Sequence, residues 1–228
     1  MRAMAAGLAL GLASMAWAAG VSTGPTVETA SAPASVKAGE KLDLSTPTAA
    51  VAAFWRAARA GDAGGMKQAL EIAEGDRAAV EAYVNLAAGS AGVVKAAEKQ
   101  FGARDAKVYD ELELVPTEGQ IKELGQANVV ITGEQATVTL KAGSRTIELK
   151  RIDGGWKIDA ASAFGTKAAE EAMDTINRLA AAMNENRAQI VRGDFGSATA
   201  AVHGLQEKLL AIAEKKVGES ATTAATRP

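Results

Sequence analysis

The sequence predicts an α+β protein: N-terminal helices packed on a four-stranded antiparallel meander, followed by a C-terminal αα-hairpin. Three observations predict it. Apolar residues recur at a helical period of about 3.6 from Pro47 toward Leu124; the period drops to 2 between Val129 and Ile158; the helical period returns after Ala160.

Ahead of the first helix lie two segments of different character. Residues 1–18 read as a signal peptide: Arg2 supplies the positive start, an apolar run from Ala3 to Met15 follows, and Ala16-Trp17-Ala18 is a small-x-small cleavage pattern. The run is short and interrupted by Gly7 and Gly11, so cleavage after Ala18 is expected, with retention as an anchor as the alternative. Export to a periplasmic or extracellular compartment follows, with no stable membrane span after cleavage. Residues 19–45 are rich in Gly, Ser, Thr, Pro and Ala without period and predict a disordered linker.

Thr46-Pro47 opens the first helix, with the threonine as N-cap and proline at the first helical position. Val51, Phe54, Trp55 and Ala58 then share one face. Gly61 suits a left-handed helix end and Asp62 can cap the next helix, which would carry Met66, Ala69, Leu70 and Ala73 inward. A third helix is expected from Asp76 with Val80, Tyr83, Val84 and Ala87. A fourth is expected after Gly89-Ser90 with Val93, Val94, Ala97 and Phe101. Between Asp105 and Leu124 two short helical pieces flank Pro116, the second opened by Thr117 with Gln120 at capping-box spacing.

The strands come next. Val129 and Ile131, Ala136 with Val138 and Leu140, Ile147 with Leu149, and Trp156 with Ile158 alternate with polar residues. Gly133-Glu134, Gly143-Ser144 and Asp153-Gly154-Gly155 mark the turns. The opposite parity, Thr137, Thr139, Glu148, Lys150, Lys157 and Asp159, predicts a wet second face. After the sheet, Ala169, Met173, Ile176, Ala180, Met183 and Ile190 line one helix. A Gly193-Asp194 corner leads to a second, with Ala198, Ala201, Val202, Leu205, Leu209 and Ile212. So short a connection makes the pair antiparallel. Its seam, interrupted by Arg187 and Lys208, could pack on the domain or pair with another copy, giving a homo-oligomer. The end from Glu219 onward has no apolar period and is expected to fray.

Charge and composition limit the functions. The net charge is −2, from 25 basic and 27 acidic residues, and no run of Lys or Arg forms a stripe for phosphates, which argues against nucleic acid. With no cysteine, disulfides and a lipidated-cysteine anchor are excluded; with a single histidine as well, a zinc site of the usual ligands cannot be assembled in one chain. That histidine, His203, lies in the last helix away from any orienting carboxylate cluster. Asp110, Glu111 and Glu113 lack calcium-loop spacing, and Gly61-Asp62-Ala63-Gly64-Gly65 lacks the lysine and preceding strand of a phosphate loop. No catalytic, cofactor-binding or metal-binding residue is therefore assigned, and no cofactor is expected.

Thr46-Pro47, Phe54-Trp55, the Ala60-Gly61-Asp62 corner and the closing Gly154-Gly155-Trp156-Lys157-Ile158, in this order, resemble exported members of the nuclear transport factor two-like superfamily, which includes ketosteroid isomerase and SnoaL-like polyketide cyclases. The resemblance covers residues 46–162 and implies a cone of helices against a curved antiparallel sheet. It also implies a strand between the second and third helices, where the residues themselves show no strand pattern. Enzymes of this superfamily use an Asp, His or Tyr in an apolar pocket, but the inward strand positions here offer no such group. Arg151 shares the inward parity at a strand end, where it could meet an acidic ligand or sit as a rim residue. Trp55, Tyr83, Tyr109 and Trp156 could line a pocket with Arg151 or simply fill the core. The organisation expected is therefore 1–18 signal peptide, 19–45 linker, 46–162 superfamily-like domain, 163–217 helical hairpin and 218–228 tail. The leading functional expectation is a non-enzymatic binding or assembly domain for a protein or small apolar ligand. The alternatives are an isomerase- or cyclase-type enzyme and a self-associating helical adaptor.

Overall fold

The computed structural model describes the backbone of residues 42–140, 146–164 and 166–225, and side-chain packing over 42–140, 146–163 and 173–214. The expected signal segment 1–18, the linker as far as Lys41, the Gly143-Ser144 turn and the inward side chain of Ala169 lie outside the described residues.

Helix α1 (Pro47–Ala60) starts as its sequence dictates. The Thr46 hydroxyl accepts from the Ala49 amide at 3.1 Å, and Pro47 occupies the first turn, where its missing N–H costs nothing. It ends at Gly61 in the left-handed region (φ 65°), and the Asp62 carboxylate accepts from the Gly65 amide at 3.0 Å to cap α2 (Ala63–Gln68). Val51, Phe54, Trp55 and Ala58 are all buried, as the helical spacing predicts.

Two expectations fail beyond this corner. Met66 and Ala69 are buried as read, but the second helix ends at Gln68, and Leu70 lies in a two-residue strand, β1 (Leu70–Glu71). Leu70 is buried opposite Ile158, whose amide donates to the Ala69 carbonyl at 2.9 Å, while Ala73 is exposed. A two-residue strand is too short to show a period, so tertiary pairing overrides the local pattern. Second, the separate third and fourth helices are one, α3 (Arg77–Phe101), which passes straight through Gly89-Ser90. Ser90 satisfies its own hydroxyl on the Leu86 carbonyl at 2.9 Å. Gly89 is small because a neighbouring helix lies against it: a Cβ there would come within 3.3 Å of the Met183 Cβ.

After the short α4 (Ala103–Ala106) and a 3₁₀ segment, Lys107–Leu112, α5 (Glu118–Glu123) opens with the predicted capping box. The Thr117 hydroxyl accepts from the Gln120 amide at 3.2 Å and the Gln120 side chain accepts from the Thr117 amide at 2.8 Å. A 3₁₀ turn over Leu124–Gln126 then leads into the sheet.

The meander is β2 (Asn128–Thr132), β3 (Gln135–Thr139), β4 (Thr146–Ile152) and β5 (Gly155–Asp159), each antiparallel to the next. Asp153 (φ 51°) and Gly154 (φ 80°) make a two-residue turn whose twist suits the hairpin, and Gly133 (φ 62°) opens the other. The sheet nevertheless has five strands, not four, and is mixed: β1 joins β5 in parallel, giving the order β1-β5-β4-β3-β2. Ala136, Val138, Ile147, Leu149, Trp156 and Ile158 form the buried face and pack with α1, the Val80–Val84 turn of α3, and α5. At β2 the alternation fails to predict burial: Val129 is half-buried and Ile131 is 55% exposed, because among the described residues no layer covers the outer edge of the sheet.

The chain is already docked at Leu42, ahead of the expected boundary at Ser45. Leu42 and Leu44 pack on the sheet core, and the Trp156 amide donates to the Leu44 carbonyl at 2.8 Å. At the other end, α6 (Ala160–Phe164) leads into α7 (Thr166–Arg192) and α8 (Ala198–Ala225). Gly193 (φ 79°) turns the corner and the Ser197 hydroxyl caps α8 by accepting from the Ala200 amide at 3.2 Å. The helical backbone continues to Ala225, into the stretch expected to fray.

The hairpin does not stand apart. α7 runs parallel to α3, with Ile176 packed on Ala79 and Tyr83, Met183 on Gly89, and Arg187 on Gly92. α8 returns antiparallel to α7, tied by Asn186 to the Ala201 carbonyl at 3.0 Å and by Lys208 to Glu185 at 2.8 Å. Val93, Ala97, Tyr109, Leu179, Met183, Ile190, Val202 and Leu205 fill a second core between α3, the 3₁₀ segment and the hairpin. Among the described residues no helix is long and apolar enough to cross a membrane.

Candidate binding cleft

The five residues singled out from the sequence do not converge. Trp55 and Trp156 are both in the core between α1 and the sheet. Tyr83 packs with Ala79, Ala82 and Ile176 between α3 and α7, and Tyr109 belongs to the second core. Arg151 is exposed on β4, with its amide donating to the Glu134 carbonyl at 2.8 Å.

Polar chemistry inside the molecule is sparse and local. Tyr109, 1% exposed, points its hydroxyl at Asn186 Oδ1 at 3.3 Å, and burial pushes its pKa up to about 12. On the wet face of the sheet Lys150 meets Glu71 at 2.9 Å and Asp159 at 3.3 Å. Its hydrogen bonds to these two carboxylates, Glu71 first, raise its pKa. Both carboxylates are already engaged by Lys150, so the cluster reads as a fastening of β1 to β4 and β5. Burial also raises the Glu113 carboxyl, at a residue held at φ 46° after the 3₁₀ segment. His203 is exposed on α8, and among the described residues no group of three His, Cys, Asp or Glu could hold a metal ion.

A different set of residues does converge. Where the end of α1 meets α3 and α7, an open cleft of about 390 Å³ has a floor of Gly61, Ala88, Gly92 and Ala96, with Lys95, Lys99, Arg187 and Val191 around it. Each part has a local cause. Gly61 is the left-handed helix end of α1, and a Cβ there would lie 3.2 Å from that of Ala91. Gly92 is bare because the Arg187 side chain lies across it, with Cδ at 3.2 Å from where a Cβ would sit. Lys95 and Lys99 stand four residues apart on the same face of α3, a like-charge pair that costs the helix a few tenths of a kcal/mol. Lys95 Nζ donates to the Ala60 carbonyl at 2.6 Å, the last turn of α1, where a cation also meets the negative helix end. None of the three cations has a carboxylate partner among the described residues. Val191, 67% exposed, gives the rim one apolar contact.

Sequence reasoning singled out Arg187 only as a break in the hairpin seam and missed Lys95 and Lys99. The readable signal was the like-charge pair Lys95/Lys99 alternating with Gly92 and Ala96; what could not be read is that α7 would bring Arg187 beside it. No family model, curated protein or solved structure matches the chain.

Proposed function

We propose that this is an exported, non-enzymatic binding domain of the nuclear transport factor two-like type that docks an acidic protein segment on the cleft between α1, α3 and α7. The observation that carries the reading is the convergence of Lys95, Lys99 and Arg187, without carboxylate partners among the described residues, on a floor of small residues. Cations held together against their own repulsion lower the free energy of a polyanion that replaces the missing counter-charge. Gly61, Ala88 and Ala96 keep the floor low, the Arg187 side chain lies across Gly92, and Val191 adds an apolar contact. Three cations suit a short acidic peptide better than a nucleic acid, which ordinarily engages 6–10 phosphates.

The superfamily assignment is supported by the order of elements. Two helices joined at the Gly61-Asp62 corner, then β1, then α3 and the antiparallel strands, place a strand between the second and third helices, where the resemblance implies one. Export rests on the reading of residues 1–18.

Calorimetric titration with a poly-glutamate peptide tests the cleft. Binding is expected to weaken steeply with salt, and the triple substitution K95E/K99E/R187E should reduce affinity at least tenfold with the far-ultraviolet dichroism unchanged. Equal affinity in the triple variant, or no binding by the unaltered protein at low salt, removes the proposal.

A further inference from the structure

The order β1-β5-β4-β3-β2 leaves two sheet edges, and they are treated differently. At the β5 side, β1 is paired, and the carbonyls of Ala69 just ahead of it and of Leu44 take the Ile158 and Trp156 amides. At the far side, β2 pairs only with β3 among the described residues. Proteins ordinarily guard such an edge with a lysine, a proline, an inward charge or a bulge. Strand β2 reads Asn128-Val129-Val130-Ile131-Thr132, with no charge, no proline and unbroken pairing to β3, and Val130 and Ile131 are each 55% exposed on opposite faces.

We infer that β2 is a self-association edge, whose partner is β2 of a second copy of this chain in antiparallel pairing about a two-fold axis at Val130. The register specifies this. The two-residue turn at Gly133-Glu134 makes Thr132 and Gln135 a hydrogen-bonded pair. Thr132, Val130 and Asn128 therefore commit their backbone groups to β3, and those of Val129 and Ile131 point outward. With the axis at Val130, Val129 of one copy faces Ile131 of the other and the two exchange reciprocal N–H to carbonyl bonds, twice over. Side chains agree with the backbone: Val129 stands beside Ile131 on the face that Ala136 and Val138 share, Val130 meets its own copy on the other face, and Asn128 is opposite Thr132. At the flanks Glu134 is opposite Gln126, so no like charges meet across the axis. A pairing of five residues buries less than the ~1,200 Å² of a stable interface, so the dimer is weak and concentration-dependent.

The test is sedimentation velocity on the protein as its host processes it, from about 10 μM to 1 mM, with amide hydrogen exchange at both ends of the range. The expected result is a rise toward twice the chain mass, with slower exchange of the Val129 and Ile131 amides at high concentration. V130K and I131K, each at an exposed position, should weaken dimerisation at least tenfold while the dichroism spectrum stays unchanged. V191K, at an exposed apolar residue on the helical side, should leave it intact. A monomer throughout the range overturns the inference, whether the two amides exchange freely or are protected at every concentration by the chain's own N-terminal segment. Dimers that survive V130K and I131K, or that V191K abolishes, overturn it too.

Discussion

Tyr109 and Asn186 form a polar link inside the second core, and their arrangement is complete: the tyrosine hydroxyl donates to Asn186 Oδ1 and the asparagine amide donates to the Ala201 carbonyl. Ionising Tyr109 in place would leave a phenolate among apolar groups, which is why its pKa rises to about 12 from 10.0. A raised tyrosine pKa favours the neutral, folded form, so its contribution is whole below about pH 10 and is lost as pH climbs from there through about 12. The difference corresponds to about 2–3 kcal/mol at the alkaline end. Urea unfolding should therefore show a steeper alkaline loss of stability for the unaltered protein than for Y109F; parallel pH profiles would remove Tyr109 as the cause. The sequence left Tyr109 open between pocket and core. Asn186 carried no signal, because one amide in a long helix gives no periodicity from which its burial could be read.

Among the elements, α3 shows where local reading stops. Gly89-Ser90 carries the residue types of a helix end, yet the backbone stays helical, and Gly89 sits where Met183 of α7 packs against it. Helical propensity and packing predict opposite outcomes for an added side chain there. Ala in place of Gly gains about 1 kcal/mol of propensity, but its Cβ must displace Met183 by a few tenths of an ångström. A β-branched side chain has no such compensation, so G89V should lower stability by about 1–3 kcal/mol, read as a reduced urea midpoint; an unchanged midpoint would mean that α3 and α7 separate easily. The caps at Thr46, Asp62 and Thr117 were legible because each depends on residues three apart in the chain. Strand β1 was not, because two residues acquire strand geometry only through Ile158, far along the sequence. The same distinction divides the cleft: Lys95 and Lys99 are a local pair, while Arg187 reaches them only once the helices have packed.

Across the whole molecule, two cores are bridged by one helix. Val80 and Val84 of α3 belong to the sheet core, and Val93 and Ala97 of the same helix belong to the core under the hairpin. Melting either core withdraws support from that helix and therefore from the other. Scanning calorimetry should accordingly show a single endotherm with equal calorimetric and van't Hoff enthalpies; two resolved endotherms would mean independent units. The broad α+β class and most of the strands were visible as changes of period. The partnership of α3 with α7 was not, since hydrophobic spacing says that a face is buried and not which face it meets.

The bridging helix also limits how this sequence can be cut or recombined. An early stop codon that removed α7 and α8 would strip the cover from Val93, Ala97, Ala106 and Tyr109 and destabilise what is left, a sticky product that quality-control proteases would clear. The hairpin therefore cannot be gained, lost or traded as an independent cassette without simultaneous change in the second half of α3, and inheritance has to treat the two as a single unit.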